Sequence, residues 1–127
     1  LDTNIIILLA DGTFNLNKEI ERLIPQKHVI IFLSACLEEF NYLVKKKPKM
    51  VKYQQFAEKI IKTLKVVDFN PPDIRTTDSK ILAFAGANVP NCVVVTNDKR
   101  LKKRLLENDI PVIFLRTKTH LELLGSV

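Results

Sequence analysis

Four acidic residues, Asp2, Glu39, Asp78 and Asp98, stand where short apolar runs end or where the following amphipathic stretches begin. Carboxylates gathered at one place repel each other and resist ionising together. A divalent cation removes that conflict, and oxygen-only ligands select a hard ion, Mg2+ or Mn2+. A bound ion of that kind can acidify a water molecule or polarise a substrate oxygen. Other chemistries find less support. His28 opens an apolar run and His120 lies near the C-terminus, both away from the acids in sequence. Cys36 and Cys92 sit inside apolar runs without CxxC spacing, so zinc is not expected. No Gly-rich phosphate loop occurs. Asp2 is followed by Thr3-Asn4, so the paired aspartates of a phosphatase or phospho-receiver are missing.

The elements that must position these acids follow from periodicity. His28–Leu33 reads as a buried strand, and Ser34 is expected to cap a helix from Ala35 to about Lys46. Tyr53, Phe56, Ala57, Ile60, Ile61 and Leu64 recur at helical spacing and predict an amphipathic helix. Val66–Phe69 reads as a strand ended by Asn70-Pro71-Pro72, with a further helix opening near Thr77. Cys92–Thr96 is another expected strand, then a helix from about Lys99 to Glu107. Val112–Leu115 is the final expected strand, and Thr119–Leu124 is expected to form a last helical turn. Strands alternating with helices predict a parallel sheet covered on both faces. Ligands of such sheets bind outside the carboxyl ends of the strands, where these acids fall.

Each acid also has a purely local reading. Asp2, Asp78 and Asp98 suit helix N-caps, and capping alone accounts for any one of them. Glu39 is chosen over Glu38 by helical geometry. Cys36, Phe40, Leu43 and Val44 define an apolar stripe that Glu39 flanks, whereas Glu38 points nearly opposite it. Asp11, Asp68, Asp73 and Asp109 read as loop or turn residues.

Composition bounds the partners. The chain has 127 residues, of which 46% are apolar, enough for one domain with a real core spanning 1–127. It opens Leu1-Asp2-Thr3-Asn4 without Met, so a few residues of the first strand are expected upstream. No apolar stretch is long enough to cross a membrane, and no basic-then-apolar leader stands at the start. Free buried thiols fit the reducing cytoplasm. A net charge of +6 favours a polyanionic partner. Two basic clusters are candidates for the phosphate backbone: Lys99, Arg100, Lys102, Lys103 and Arg104, directly after Asp98, and Lys45, Lys46, Lys47, Lys49 and Lys52, after Glu39. Solvated faces are the bland account of both.

The four segments together resemble the motifs of PIN-domain nucleases, in order and across nearly the whole chain. They are Leu1-Asp2-Thr3-Asn4-Ile5, Leu37-Glu38-Glu39-Phe40, Asp78-Ser79-Lys80-Ile81-Leu82-Ala83-Phe84-Ala85 and Val95-Thr96-Asn97-Asp98-Lys99-Arg100-Leu101. The last most resembles archaeal and eukaryotic members related to ribosomal RNA processing, more than the bacterial toxins. The resemblance implies a three-layer α/β/α sandwich with a central parallel sheet, metal-dependent endonuclease activity on RNA, and frequent homodimers. It implies Asp2, Glu39, Asp78 and Asp98 as the metal site, with Asn4, Ser34 and Thr96 as hydrogen-bonding neighbours. One departure stands out. Many members carry a further acid two residues after the fourth, where this chain has Arg100. That departure motivates one alternative to a processing nuclease, a non-catalytic RNA-binding factor working with ribosome-assembly proteins. A second alternative within the same family is a toxin restrained by an antitoxin, which keeps the chemistry but changes the partner.

Overall fold

Short apolar runs become strands, and the amphipathic stretches between them become helices. The computed structural model describes residues 1–10, 15–117 and 120–125. In chain order its elements are α1 (Thr3–Ala10), α2 (Leu16–Leu23), β1 (Ile31–Leu33), α3 (Ser34–Lys46), a 3-10 turn (Pro48–Met50) and α4 (Val51–Lys62). Then come β2 (Lys65–Val67), α5 (Thr77–Ala87), β3 (Val94–Val95), α6 (Lys99–Glu107), β4 (Val112–Thr117) and β5 (His120–Leu124). The chain is an α/β/α sandwich.

Two parallel ladders carry the site. β1 pairs with β2, with Leu33 opposite Val67, and β3 pairs with β4, with Val95 opposite Ile113. Leu1 and Asp2 lie between the ladders. The Leu1 amino group donates to the Ile31 carbonyl at 3.1 Å, and the Asp2 N–H donates to the Val95 carbonyl at 2.9 Å. Asp2 is thereby fixed beside the ends of β1 and β3. The helices hold this edge from both sides: α1 packs against α3 and α4, and α5 touches α3 and α6.

Helix α6 shows how sequence pattern becomes placement. Leu101 and Leu105, four residues apart, are fully buried, while Lys99, Arg100, Lys103 and Arg104 are exposed. Each buried leucine contributes about 1.5–3 kcal/mol. The helix is therefore pinned by its apolar stripe with its cationic face outward.

Several sequence expectations are corrected. The helical turn over Thr119–Leu124 is a strand from His120, antiparallel to β4 with Leu121 opposite Leu115; Thr119 itself lies outside the described residues. The sheet is thus not wholly parallel. The reason is visible in the alternation: Leu121 is buried, Glu122 exposed and Leu123 half-buried, a two-residue period. Side chains of α2, which periodicity did not reveal, complete the strand's hydrogen bonding. The Arg22 guanidinium donates to the Leu121 carbonyl at 2.6 Å, and Glu19 Oε1 accepts from the Leu121 N–H at 3.0 Å. Gly125 ends β5 with φ of 94°, and a Cβ there would lie 3.0 Å from Pro111 Cα.

Ser34 does not cap α3. It is the first helical residue, Leu33 occupies the cap, and the Ser34 hydroxyl bonds elsewhere. Phe56, assigned to the apolar stripe of its helix, is 56% exposed on α4, where Ala57 and Ile61 face the core. The strands expected from His28 and Cys92 are shorter, beginning at Ile31 and Val94. Asp11 lies outside the described residues.

Candidate functional site

Asp2 is the most constrained of the four acids. It is buried, and both its oxygens are engaged: Oδ1 accepts from the Thr3 N–H at 2.7 Å, and Oδ2 accepts from Thr96 Oγ1 at 2.7 Å. Burial pushes its carboxyl above the usual carboxylate range. The bonds from Thr96 and Thr3 pull it down, while the charge of Glu39 pushes it up.

The Thr96-Asn97-Asp98 segment divides its work residue by residue. Thr96 is fully buried, donates to Asp2, and accepts from the Asp98 N–H at 3.1 Å. The Asn97 amide oxygen accepts from the Leu115 N–H at 2.6 Å, tying the turn to β4. Asp98 caps α6, with Oδ1 accepting from the N–H groups of Arg100 at 2.9 Å and Leu101 at 3.0 Å. The capping account of Asp98 is thus correct as geometry. Both of those bonds fall on Oδ1, so capping does not occupy Oδ2.

Asp78 is different. Thr76 caps α5 by accepting from the Ser79 N–H at 3.1 Å, and Asp78 lies inside the first turn. Its carboxyl is pushed up, first by burial and then by the negative charges of Asp2, Asp98 and Glu39, with Arg104 of α6 partly offsetting them. Four acids from four separate stretches of chain therefore share one electrostatic neighbourhood. Glu39 is half-buried on α3, whereas Glu38 is exposed.

The neighbours expected from sequence are placed unequally. Thr96 touches Asp2 directly. Ser34 donates instead to Asp68 Oδ1 at 2.9 Å, and Asn4 is exposed on α1 with no hydrogen bond to any of the four acids. Thr3 was missed. Its N–H holds Asp2, and its hydroxyl donates to the Cys36 carbonyl at 3.4 Å, joining α1 to α3. A threonine directly after a candidate ligand was the available signal. Cys36 and Cys92 are both free, and burial pushes the Cys36 thiol up to about 11, which leaves it unreactive.

The basic clusters are also unequal. The α6 cluster starts at Asp98, and Lys102 lies 4.4 Å from the centre of the Phe114 ring. Lys45, Lys46 and Lys47 stand at the far end of α3, about 9–12 Å along the axis from Glu39. There Lys46 Nζ donates to the Tyr42 hydroxyl at 2.9 Å.

Among the described residues, no three His, Cys, Asp or Glu side chains converge at ligand spacing. The acids are near enough to repel and too far apart to form a closed cage. The donor set is nonetheless chemically suited to a hard divalent cation, being oxygen throughout with excess negative charge at one point. A cleft of about 670 Å³ among the described residues lies elsewhere. Val29, Ile30, Ile31, Val93 and Val94 help line it, and none of the four acids does. Its walls are largely apolar, with Gln26, Lys27, His28 and Asn91 among the lining residues, and the oxygen ligands that suit a divalent cation lie at the open edge instead.

An α/β/α sandwich with acids near its strand ends serves many unrelated functions, and comparison with known proteins narrows the class. Residues 1–118 match the family described as PIN like domain, and the chain belongs to that family. It is 37% identical over 129 residues to "Ribonuclease VapC4" of Methanocaldococcus jannaschii, covering 99% of this chain and 95% of that protein. The fold also matches the solved structure of the PIN domain endonuclease Utp24, with a TM-score of 0.77 and 20% identity over 99% of this chain and 90% of that one. No helix among the described residues is long and apolar enough to cross a membrane.

Proposed function

We propose that this chain is a divalent-metal-dependent endoribonuclease in which Asp2, Glu39, Asp78 and Asp98 hold Mg2+ or Mn2+. One observation carries the reading: the Asp78 carboxyl is raised first by burial and then by Asp2, Asp98 and Glu39 together, so the four acids lie within reach of one another's charge. Similarity over nearly the full chain to a ribonuclease supports it. When bound, the ion would polarise the scissile phosphate and acidify a water molecule. The chain's own groups do the rest. Thr96 and the Thr3 N–H orient the Asp2 carboxylate, and the amino end of α6 fixes Asp98. Arg100, Lys103 and Arg104 present cations beside the acids for the RNA backbone.

The test is cleavage of a labelled single-stranded RNA with Mn2+, Mg2+ or EDTA, with Asp98→Asn alongside. Asparagine still caps a helix, so this variant keeps α6. Cutting that needs metal and vanishes in the variant supports the reading. RNA binding without cutting under any metal would instead favour a non-catalytic RNA-binding factor, the alternative that Arg100 motivates. Ribosomal RNA processing and a toxin restrained by an antitoxin use the same site and differ in partner. The free thiols favour a reducing compartment such as the cytoplasm for either.

Thr96 gives a second expectation. Thr96→Val removes the donor that orients Asp2 at constant volume. It should lower metal-dependent cleavage about 10–100-fold, as loss of a partner to a metal ligand typically does. Thr96→Ser should retain most activity. A metal titration of the cleavage rate checks both, since a weakened site needs more Mn2+ for half-maximal rate.

A further inference from the structure

We propose that Lys80, held by a side-chain network through Asn70, Asp68 and Ser34, is a phosphate contact that extends the RNA path to the β2 side of the acids. This rests on the ribonuclease reading. Asp68 looks like an ordinary turn residue in sequence. The register of the first ladder gives it a different place. Leu33 faces Val67, so Ser34 and Asp68 are the next residues off the carboxyl ends of neighbouring strands.

From there a chain of hydrogen bonds runs outward. Ser34 Oγ donates to Asp68 Oδ1 at 2.9 Å. Asn70 Nδ2 donates to Asp68 Oδ1 and to Ser34 Oγ, the latter at 3.3 Å. With its nitrogen so used, the Asn70 amide turns its oxygen toward α5, where Lys80 Nζ donates to it at 3.0 Å. Three side chains from two parts of the chain, Ser34 and the Asp68–Asn70 turn, thus hold one lysine, with Asn70 in direct contact. Immobilising a lysine in this way sacrifices side-chain freedom, and an exposed hydrogen bond to a neutral amide offers little stability in return.

The charge arrangement is what makes the network useful. Asp68 is satisfied by Ser34 and Asn70, not by Lys80. Lys80 meets an amide oxygen, and among the described residues no carboxylate lies within ion-pair distance of it. A positioned ammonium group without an anionic partner is a site for an anion. On α5, Lys80 is two residues beyond Asp78, about 200° around the helix. Asp78 is influenced by Asp98 and by Arg104 of α6, and Lys80 is bonded toward β2. An RNA strand crossing the open edge would meet the α6 cations on one side of the acids and Lys80 on the other.

The experiment is steady-state cleavage of single-stranded RNA by the whole chain with Mn2+ across a range of salt. Lys80→Gln should raise KM about five- to ten-fold with kcat changed less than two-fold, and should reduce the log–log salt slope by about 1. Lys80→Arg should restore KM. Asn70→Ala, which frees the lysine, should raise KM by part of that amount. Thermal unfolding of each variant excludes loss of fold as the cause. Wild-type KM and salt slope in Lys80→Gln, or a loss confined to kcat, overturns the proposal while leaving the ribonuclease reading intact. A parent chain that neither binds nor cuts RNA overturns both.

Discussion

Asp78→Asn is expected to lower RNA cleavage by at least ~10³-fold and to raise the unfolding midpoint by about 2–5 °C. The two effects have one origin. Asp78 receives no capping bond to compensate its charge, because Thr76 caps α5. Its carboxyl is raised by burial and by three like charges. A carboxyl whose pKa is raised on folding binds its proton more tightly in the folded state. Stability from that proton is fully present below the ordinary value of 3.8, and it is lost as pH rises through the raised value. Above that window the folded protein carries the full repulsion. Asparagine removes the charge and keeps the shape. The variant should therefore gain most at neutral pH, and its advantage should shrink in acid. Mn2+ should raise the midpoint of the parent at neutral pH by neutralising the same repulsion, and should do so far less in Asp78→Asn. Calorimetry at pH 4 and pH 7.5, with and without Mn2+, measures all of this. A variant less stable than the parent at pH 7.5 would mean that Asp78 is held by contacts and not opposed by charge.

Much of this fold could be read from sequence because its signals were local. Tyr53 to Leu64 recur at helical spacing, and Leu101 and Leu105 fix the face of α6, so α4 and α6 were foreseen. The family resemblance added the order of the four acidic motifs. Long-range features could not be read in the same way. The β5 strand depends on pairing with β4 and on Glu19 and Arg22, about a hundred residues earlier in the chain. Thr119–Leu124 is too short a window to distinguish a helical turn from a strand without those partners. The Ser34–Asp68 contact depends on strand register, which no single segment encodes. Ser34 itself has the right type for a cap, yet its hydroxyl is drawn to a carboxylate across the ladder. The electrostatic meeting of Asp2, Glu39, Asp78 and Asp98 required the parallel topology, but the topology was itself legible from alternating strands and helices.

Asp2→Ala should also abolish cleavage, and it should do the opposite to stability. Asp2 shares the electrostatic neighbourhood of Asp78, and burial likewise raises its carboxyl. Its oxygens, however, are the acceptors for two buried donors, the Thr3 N–H and the Thr96 hydroxyl. Alanine leaves both without their partner. An orphaned buried donor costs about 1–3 kcal/mol, so a loss of about 2–4 kcal/mol is expected. Asp2→Asn falls between. Its amide oxygen can serve only one of the two donors, and its NH2 group must face the other. The Thr96 hydroxyl can turn to accept, but it already accepts from the Asp98 N–H, and its own proton then lacks an acceptor. Urea unfolding should give a lower midpoint in the order parent, Asp2→Asn, Asp2→Ala with an unchanged slope. Thr96→Val combined with Asp2→Ala should cost less than the sum of the two single changes, because the valine removes one of the orphaned donors. Additive losses in that pair would show that the Thr96–Asp2 bond does not carry the stability. Non-additive losses would separate two classes of acid within one site: Asp2, which is built into the fold, and Asp78, whose charge the fold carries at a cost for the sake of the ion.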